Sequence, residues 1–217
     1  MVLAQIQAEL AAIYQTPLNY DINDFLITDA GLAATLTPSH ASMNNQERLL
    51  VRSDVDDLCL SLYIDDSVVM RLSVDDPTAL LHEGNFEAFL IALEGVSHLN
   101  YVIWNGERDN SVTLFELELQ AEIDKYVTCT KLFSAQQGGN IPEALHRVLF
   151  DSSHFDTALD SVELQRYQEA NYFAAKYCAA LRRRFPGHHG QPSFLRELRA
   201  FYRLTRNEKV QRIRAVH

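Results

Sequence analysis

Residues 85–104, NFEAFLIALEGVSHLNYVIW, constrain the fold of this chain more than any other segment. Their only charged members are Glu87 and Glu94. A helix that is apolar almost all round belongs at the centre of a domain, with partners on most of its sides. We therefore expect a helix over 85–105, with Asn85 as its cap. The chain as a whole is 47% hydrophobic, enough to bury a core around that helix. No segment approaches the ~20 consecutive apolar residues that cross a bilayer, so no membrane partner is expected.

Two further helices pack naturally against it. In 111–133, Phe115, Leu119, Ile123, Tyr126, Thr130 and Phe133 recur at spacings of three and four. Val112 to Leu119 also alternates like a strand, but the longer period and the Thr113/Glu116 capping-box spacing favour helix. In 162–184 the face expected to be buried is Tyr167, Ala170, Ala174, Tyr177, Cys178 and Leu181, preceded by Asp160 and Glu163 at capping-box spacing. Val2, Leu3, Ile6, Leu10 and Ile13 predict an amphipathic helix at the start of the chain, ending near Gln15. Shorter helices are expected over 68–72, from Pro142 to Phe150, over 193–204, and over 205–216 with a Thr205/Glu208 capping box.

Residues 20–65 read differently. YDINDFLI (20–27) is followed by a polar loop with Gly31, Pro38 and Asn44-Asn45, and then by the short apolar runs RLLVR (48–52) and LCLSLYI (58–64). Leu58, Leu60, Leu62 and Ile64 share one face, the alternation of a half-buried strand. The expected architecture is therefore α+β and predominantly helical: a helix bundle-like core with a small antiparallel sheet near the N-terminus. Residues 1–184 form the main domain, with its sheet at about 20–65 and helical core at about 66–184. After the break Phe185–Pro192, residues 193–217 form a basic helical C-terminal appendage.

Charge is divided along the chain. Residues 1–175 carry 8 Lys/Arg against 27 Asp/Glu, whereas residues 176–217 carry 11 Lys/Arg against Glu197 and Glu208 alone, within a net charge of −10. The basic end either folds back on the acidic body or faces an acidic protein or a nucleic acid. The residues expected to bind such a partner are Arg196, Arg199, Arg203, Arg206, Lys209 and Arg212, with Arg214 extending the charge. Arginine forks suit carboxylate and phosphate. The acidic body opposes any reading in which the whole molecule lies along a nucleic acid.

Motifs of familiar chemistry are absent from the sequence. No Gly-x-Gly-x-x-Gly, phosphate-binding Gly-rich Lys-Ser/Thr loop, Gly-x-Ser-x-Gly elbow or His-Glu-x-x-His occurs. Cys59, Cys129 and Cys178 are far apart and odd in number, which fits reduced thiols and a cytoplasmic location rather than a disulfide framework. The first 14 residues lack the basic start and apolar run of a secretory leader. His154 and Asp156, after Ser152-Ser153, read as solvated or capping residues, and His188-His189 form no ligand pattern.

One constellation suits a metal. Glu94 and His98 are four apart on one helix, and Glu118 and Glu122 are four apart on the next, with Glu116 nearby. Facing helices that present carboxylates and histidine can hold a divalent metal, although the di-iron bundles use Glu-x-x-His, one residue shorter than Glu94–His98. The alternative is that these groups line the water-facing edges of their helices. Two functions are thus expected. One is a non-enzymatic interaction or regulatory protein using the basic end, with self-association into a homo-oligomer open to it. The other is a metal-dependent helical enzyme using Glu94, His98, Glu118 and Glu122.

Overall fold

The structure is a computed structural model and describes residues 2–36, 46–53, 58–151, 161–187 and 190–216. Helix α1 (Val2–Tyr14) leads through a 3-10 turn (Ile22–Asp24) to β1 (Leu26–Ile27) and α2 (Ala30–Leu36). Strands β2 (Glu47–Ser53) and β3 (Leu58–Ile64) follow, and the remainder is helical: α3 (Asp66–Val74), α4 (Glu83–Gly106), α5 (Leu114–Gln136), α6 (Leu145–Phe150), α7 (Ser161–Arg184), α8 (Pro192–Tyr202) and α9 (Arg206–Ala215). The chain is α+β and predominantly helical, as its sequence predicts.

α4 is the central element. By length and composition it is apolar enough to cross a bilayer, which differs from the sequence expectation, but it serves as a core helix. Phe89, Leu93, Val96 and Leu99 are completely buried, and α4 packs against α1, α3, α5 and both long strands. Its cap also differs from expectation. The His82 ring accepts from the Gly84 N–H, while the Asn85 side chain reaches back to accept from the His82 N–H at 3.0 Å, so Asn85 is the inner half of the box. α5 starts as predicted: the Glu116 carboxylate accepts from the Thr113 N–H and hydroxyl.

The sheet order is β1-β3-β2. β2 and β3 are antiparallel, with Glu47 opposite Ile64, but β1 runs parallel to β3 through Leu26 and Leu62, so the sheet is mixed rather than wholly antiparallel. Leu62 and Ile64 are fully buried toward the helices. The other face is also covered: α2, in a segment whose sequence reads as loop, brings Ala33 against Leu50 and Tyr63.

α7 buries Ala170, Ala174, Tyr177, Cys178 and Leu181 as predicted; Phe173 joins them, and Tyr167 is only half-buried. The helix expected to start at Pro142 starts at Leu145 instead, with Pro142–Ala144 forming the turn before it. Phe194, Leu198, Phe201 and Tyr202 of α8 and Ile213 of α9 belong to the same apolar core as α4 and α5. Phe201 stacks on Tyr177 with ring centroids 4.0 Å apart, and Tyr202 stacks on Tyr14 at 4.0 Å. The Asp160 cap, His154 with Asp156, and His188-His189 lie outside the described residues.

Candidate metal centre

Three elements deliver ionisable groups to one buried place. β2 brings Glu47 at its first residue, α4 brings Glu94 and His98, and α5 brings Glu118, Glu122 and Lys125. The sequence places Glu94 with His98, and Glu118 with Glu122, on single faces by their four-residue spacing, and the packing of α4 on α5 joins the two faces. Glu47 comes from far away in the chain. It reaches α4 because residue 95 is glycine: a Cβ there would stand 2.8 Å from Glu47 Cγ and 2.9 Å from Leu62 Cδ1.

One ligand atom each from Glu47, Glu94 and His98 fall within 4.8 Å of one another. His98 Nδ1 stands 3.4 Å from Glu47 Oε1, and His98 Nε2 stands 3.8 Å from Glu118 Oε2. Two donors sharing one ion, with bonds of ~2.1 Å at a tetrahedral angle, lie ~3.4 Å apart. The His98 side chain is 8% exposed, Glu118 9% and Glu47 10%. Despite that burial, Glu47 Oε1 and His98 Nε2 have no hydrogen-bond partner among the described residues. Buried polar atoms nearly always make hydrogen bonds, whereas here each ring nitrogen of His98 has only a looser charge contact, to Glu47 on one edge and Glu118 on the other.

The electrostatics are those of a site with too much negative charge. Burial, with Glu94 adding repulsion, pushes the Glu47 carboxyl up. Burial and the neighbouring Glu94 and Glu47 push Glu118 to about 7. Burial alone would lower His98, but Glu47, Glu118 and Glu94 overcome it and raise the imidazole to about 9. Glu94 is also desolvated, yet Lys125 and His98 beside it hold it below the usual carboxylate range. At neutral pH His98 therefore keeps its proton and Glu118 is only partly ionised. Lys125 donates to Glu94 Oε2 at 2.6 Å and to Glu122 Oε1 at 2.7 Å. Glu122 therefore faces Lys125 rather than His98, while Glu116 is consumed by the α5 cap.

Next to this cluster lies a second polar network. Asp124 accepts from the Tyr14 hydroxyl, from Ser97 Oγ at 2.6 Å and from Gln120 Nε2 at 2.9 Å. Gln120 Oε1 in turn accepts from Lys209 Nζ at 3.0 Å, and Tyr101 Oη accepts from the same amine at 2.9 Å. The sequence pattern puts Lys209 on an exposed basic face, but the structure buries it completely. Burial drops its amine to about 7, against the opposing pull of Glu116 and Asp124.

The other basic residues are largely engaged within the molecule. Arg199 Nε donates to Ile13 O at 2.8 Å and Arg203 Nη2 to Tyr14 O at 3.0 Å, which caps the open carbonyls at the end of α1. Arg212 grips the buried Glu197 with both Nε, at 3.0 Å, and Nη2, at 2.8 Å. Arg206 lies with its guanidinium 5.0 Å from the Phe115 ring centroid. Arg196 is exposed and, with Arg184 and Arg212, lines a shallow cleft where α7, α8 and α9 meet.

Sequence reasoning misses Glu47, Lys125 and the burial of Lys209. Gly95, inside an otherwise bulky apolar helix, is the available signal for a close neighbour on α4. The Glu122/Lys125 spacing is the signal for their pair. No known protein family, curated protein or solved structure matches the chain.

Proposed function

We propose that this chain is a divalent-metal protein whose ion is held by Glu47, Glu94 and His98, with Glu118 on the far ring nitrogen orienting the imidazole. The observation that carries the reading is the buried Glu47 Oε1, which has no hydrogen bond among the described residues and stands 3.4 Å from His98 Nδ1, in a cluster whose three donors lie within 4.8 Å of one another. A donor set of carboxylates with one imidazole favours manganese, iron(II) or zinc over calcium or magnesium, which prefer oxygen alone. An ion there can polarise a bound oxygen or activate water, the chemistry of a metal-dependent enzyme. The two buried cysteines and the α4 core fit a cytoplasmic setting for such a protein.

Isothermal titration of metal-free protein with Mn2+ tests this. Saturable binding is expected, with proton release as the ion displaces the His98 proton. Glu94→Gln and His98→Ala should each weaken binding at least tenfold while keeping the wild-type circular dichroism. Unchanged affinity in both variants, or no saturable binding by Mn2+, Fe2+ or Zn2+, overturns the proposal.

A second reading, an interaction protein that docks an acidic partner, is favoured by the exposed arginines around the α7–α8–α9 cleft. Arg196 carries it best, because Arg199, Arg203 and Arg212 are held by α1 and Glu197. Loss of salt-sensitive binding to an acidic partner in Arg196→Glu, without loss of stability, supports it; unaltered binding removes it.

A further inference from the structure

Resting on the metal reading above, we infer that the centre takes one divalent ion, and that the Lys125 ammonium fills the position of a second, with Glu94 shared between the two cations. Four carboxylates converge here from β2, α4 and α5, more than one divalent ion neutralises. Carboxylate-rich bundles with this number of acids commonly hold two metals bridged by shared glutamates. In this chain the acids divide into two groups. Glu47 and Glu118 flank the two ring nitrogens of His98, while Glu122 stands with Lys125. Glu94 belongs to both, since it contributes to the Glu47–His98 cluster and also accepts from Lys125 at 2.6 Å.

The lysine is fixed in that place by its geometry. The Lys125 side chain is 11% exposed, and its nitrogen is gripped from two helices, by Glu94 of α4 and Glu122 of α5. An ammonium at 2.6–2.7 Å from two carboxylates fills the volume and satisfies the lone pairs that a second ion would need. It supplies one positive charge where a metal would supply two, and it cannot coordinate and activate water or a substrate oxygen as a metal does. The centre is thereby committed to a single open metal, with Glu94 oriented toward that metal by the lysine behind it.

The test is metal stoichiometry with Mn2+ as the probe. After loading and gel filtration, the wild-type chain should retain one Mn2+ and give the six-line spectrum of an isolated ion in electron paramagnetic resonance. Lys125→Met should retain two, with the altered spectrum of a coupled pair, and Lys125→Arg, which keeps the cation, should stay at one. Two ions in the wild type, or one in Lys125→Met at saturating Mn2+, overturns the inference while leaving the metal reading intact. No bound ion in the wild type instead refutes the metal reading and this inference with it. Should Lys125→Met lose the wild-type circular dichroism, Lys125→Gln carries the same expectation, and the wild-type stoichiometry decides independently of either.

Discussion

Lys209 offers a quantitative test of the packing of α9. Its nitrogen is completely buried, donates to Tyr101 Oη and Gln120 Oε1, and titrates near 7 rather than at the ordinary 10.5. A neutral amine has two hydrogens, and those two acceptors use both. Because the folded pKa lies below the unfolded one, the unfolded chain binds more protons between pH 7 and 10.5, so this residue makes stability rise with pH across that window. Each tenfold change in proton affinity corresponds to roughly 1.4 kcal/mol, so the rise between pH 7 and 9.5 comes to about 3 kcal/mol. Lys209→Met keeps the stem and removes the titration. Urea unfolding of both proteins at several pH values isolates the effect, because His98, raised to about 9, contributes an opposite slope to both and cancels in the difference. The wild type should gain on the variant by about 3 kcal/mol from pH 7 to 9.5. A difference that is flat with pH, or that shrinks as pH rises, would show Lys209 to be a paired ammonium and refute the reasoning.

Other substitutions probe separate parts of the account. Gly95→Ala drives a methyl into Glu47 Cγ and Leu62 Cδ1, and should cost about 1–3 kcal/mol in urea unfolding and weaken Mn2+ binding as β2 shifts; unchanged metal affinity would argue against Glu47 as a ligand. Phe201→Ala empties a fully buried site stacked on Tyr177, so a loss of about 3–5 kcal/mol is expected, and a loss under 1 kcal/mol would mean that α8 is only loosely docked. Glu197 is desolvated, but Arg212 and Arg184 hold its carboxyl below the ordinary range, so it stabilises the fold above the unfolded carboxylate pKa and stops doing so as pH falls through the lowered one. Glu197→Gln should therefore cost about 1–2 kcal/mol at pH 7, a modest figure because Arg212 and Arg184 are exposed, and the cost should vanish in acid.

The parts of the fold legible in the sequence are those written locally. α4 follows from a run that is apolar almost all round, α5 from its apolar period of three and four, and the α5 start from Thr113 and Glu116 within one turn. The parts that escape it depend on distant partners. β1 has two residues, too few for a pattern, so nothing local announces its parallel pairing with β3. α2 is a seven-residue helix in a segment that reads as loop, held by its packing on Leu50 and Tyr63. The candidate metal cluster is half legible. Helical spacing pairs Glu94 with His98 and Glu118 with Glu122, but Glu47 enters through tertiary packing alone. Lys209 reads as surface charge in the sequence because only the Tyr101–Gln120 acceptors, 108 and 89 residues away, make its burial tolerable.

The most direct test of the metal centre is a crystal of the Mn2+-loaded chain measured at a wavelength where manganese scatters anomalously. The account predicts an anomalous peak within bonding distance of Glu47, Glu94 and His98, with Lys125 still seated between Glu94 and Glu122. A loaded crystal with no peak there, and with His98 bonded instead to Glu47 and Glu118, would contradict it.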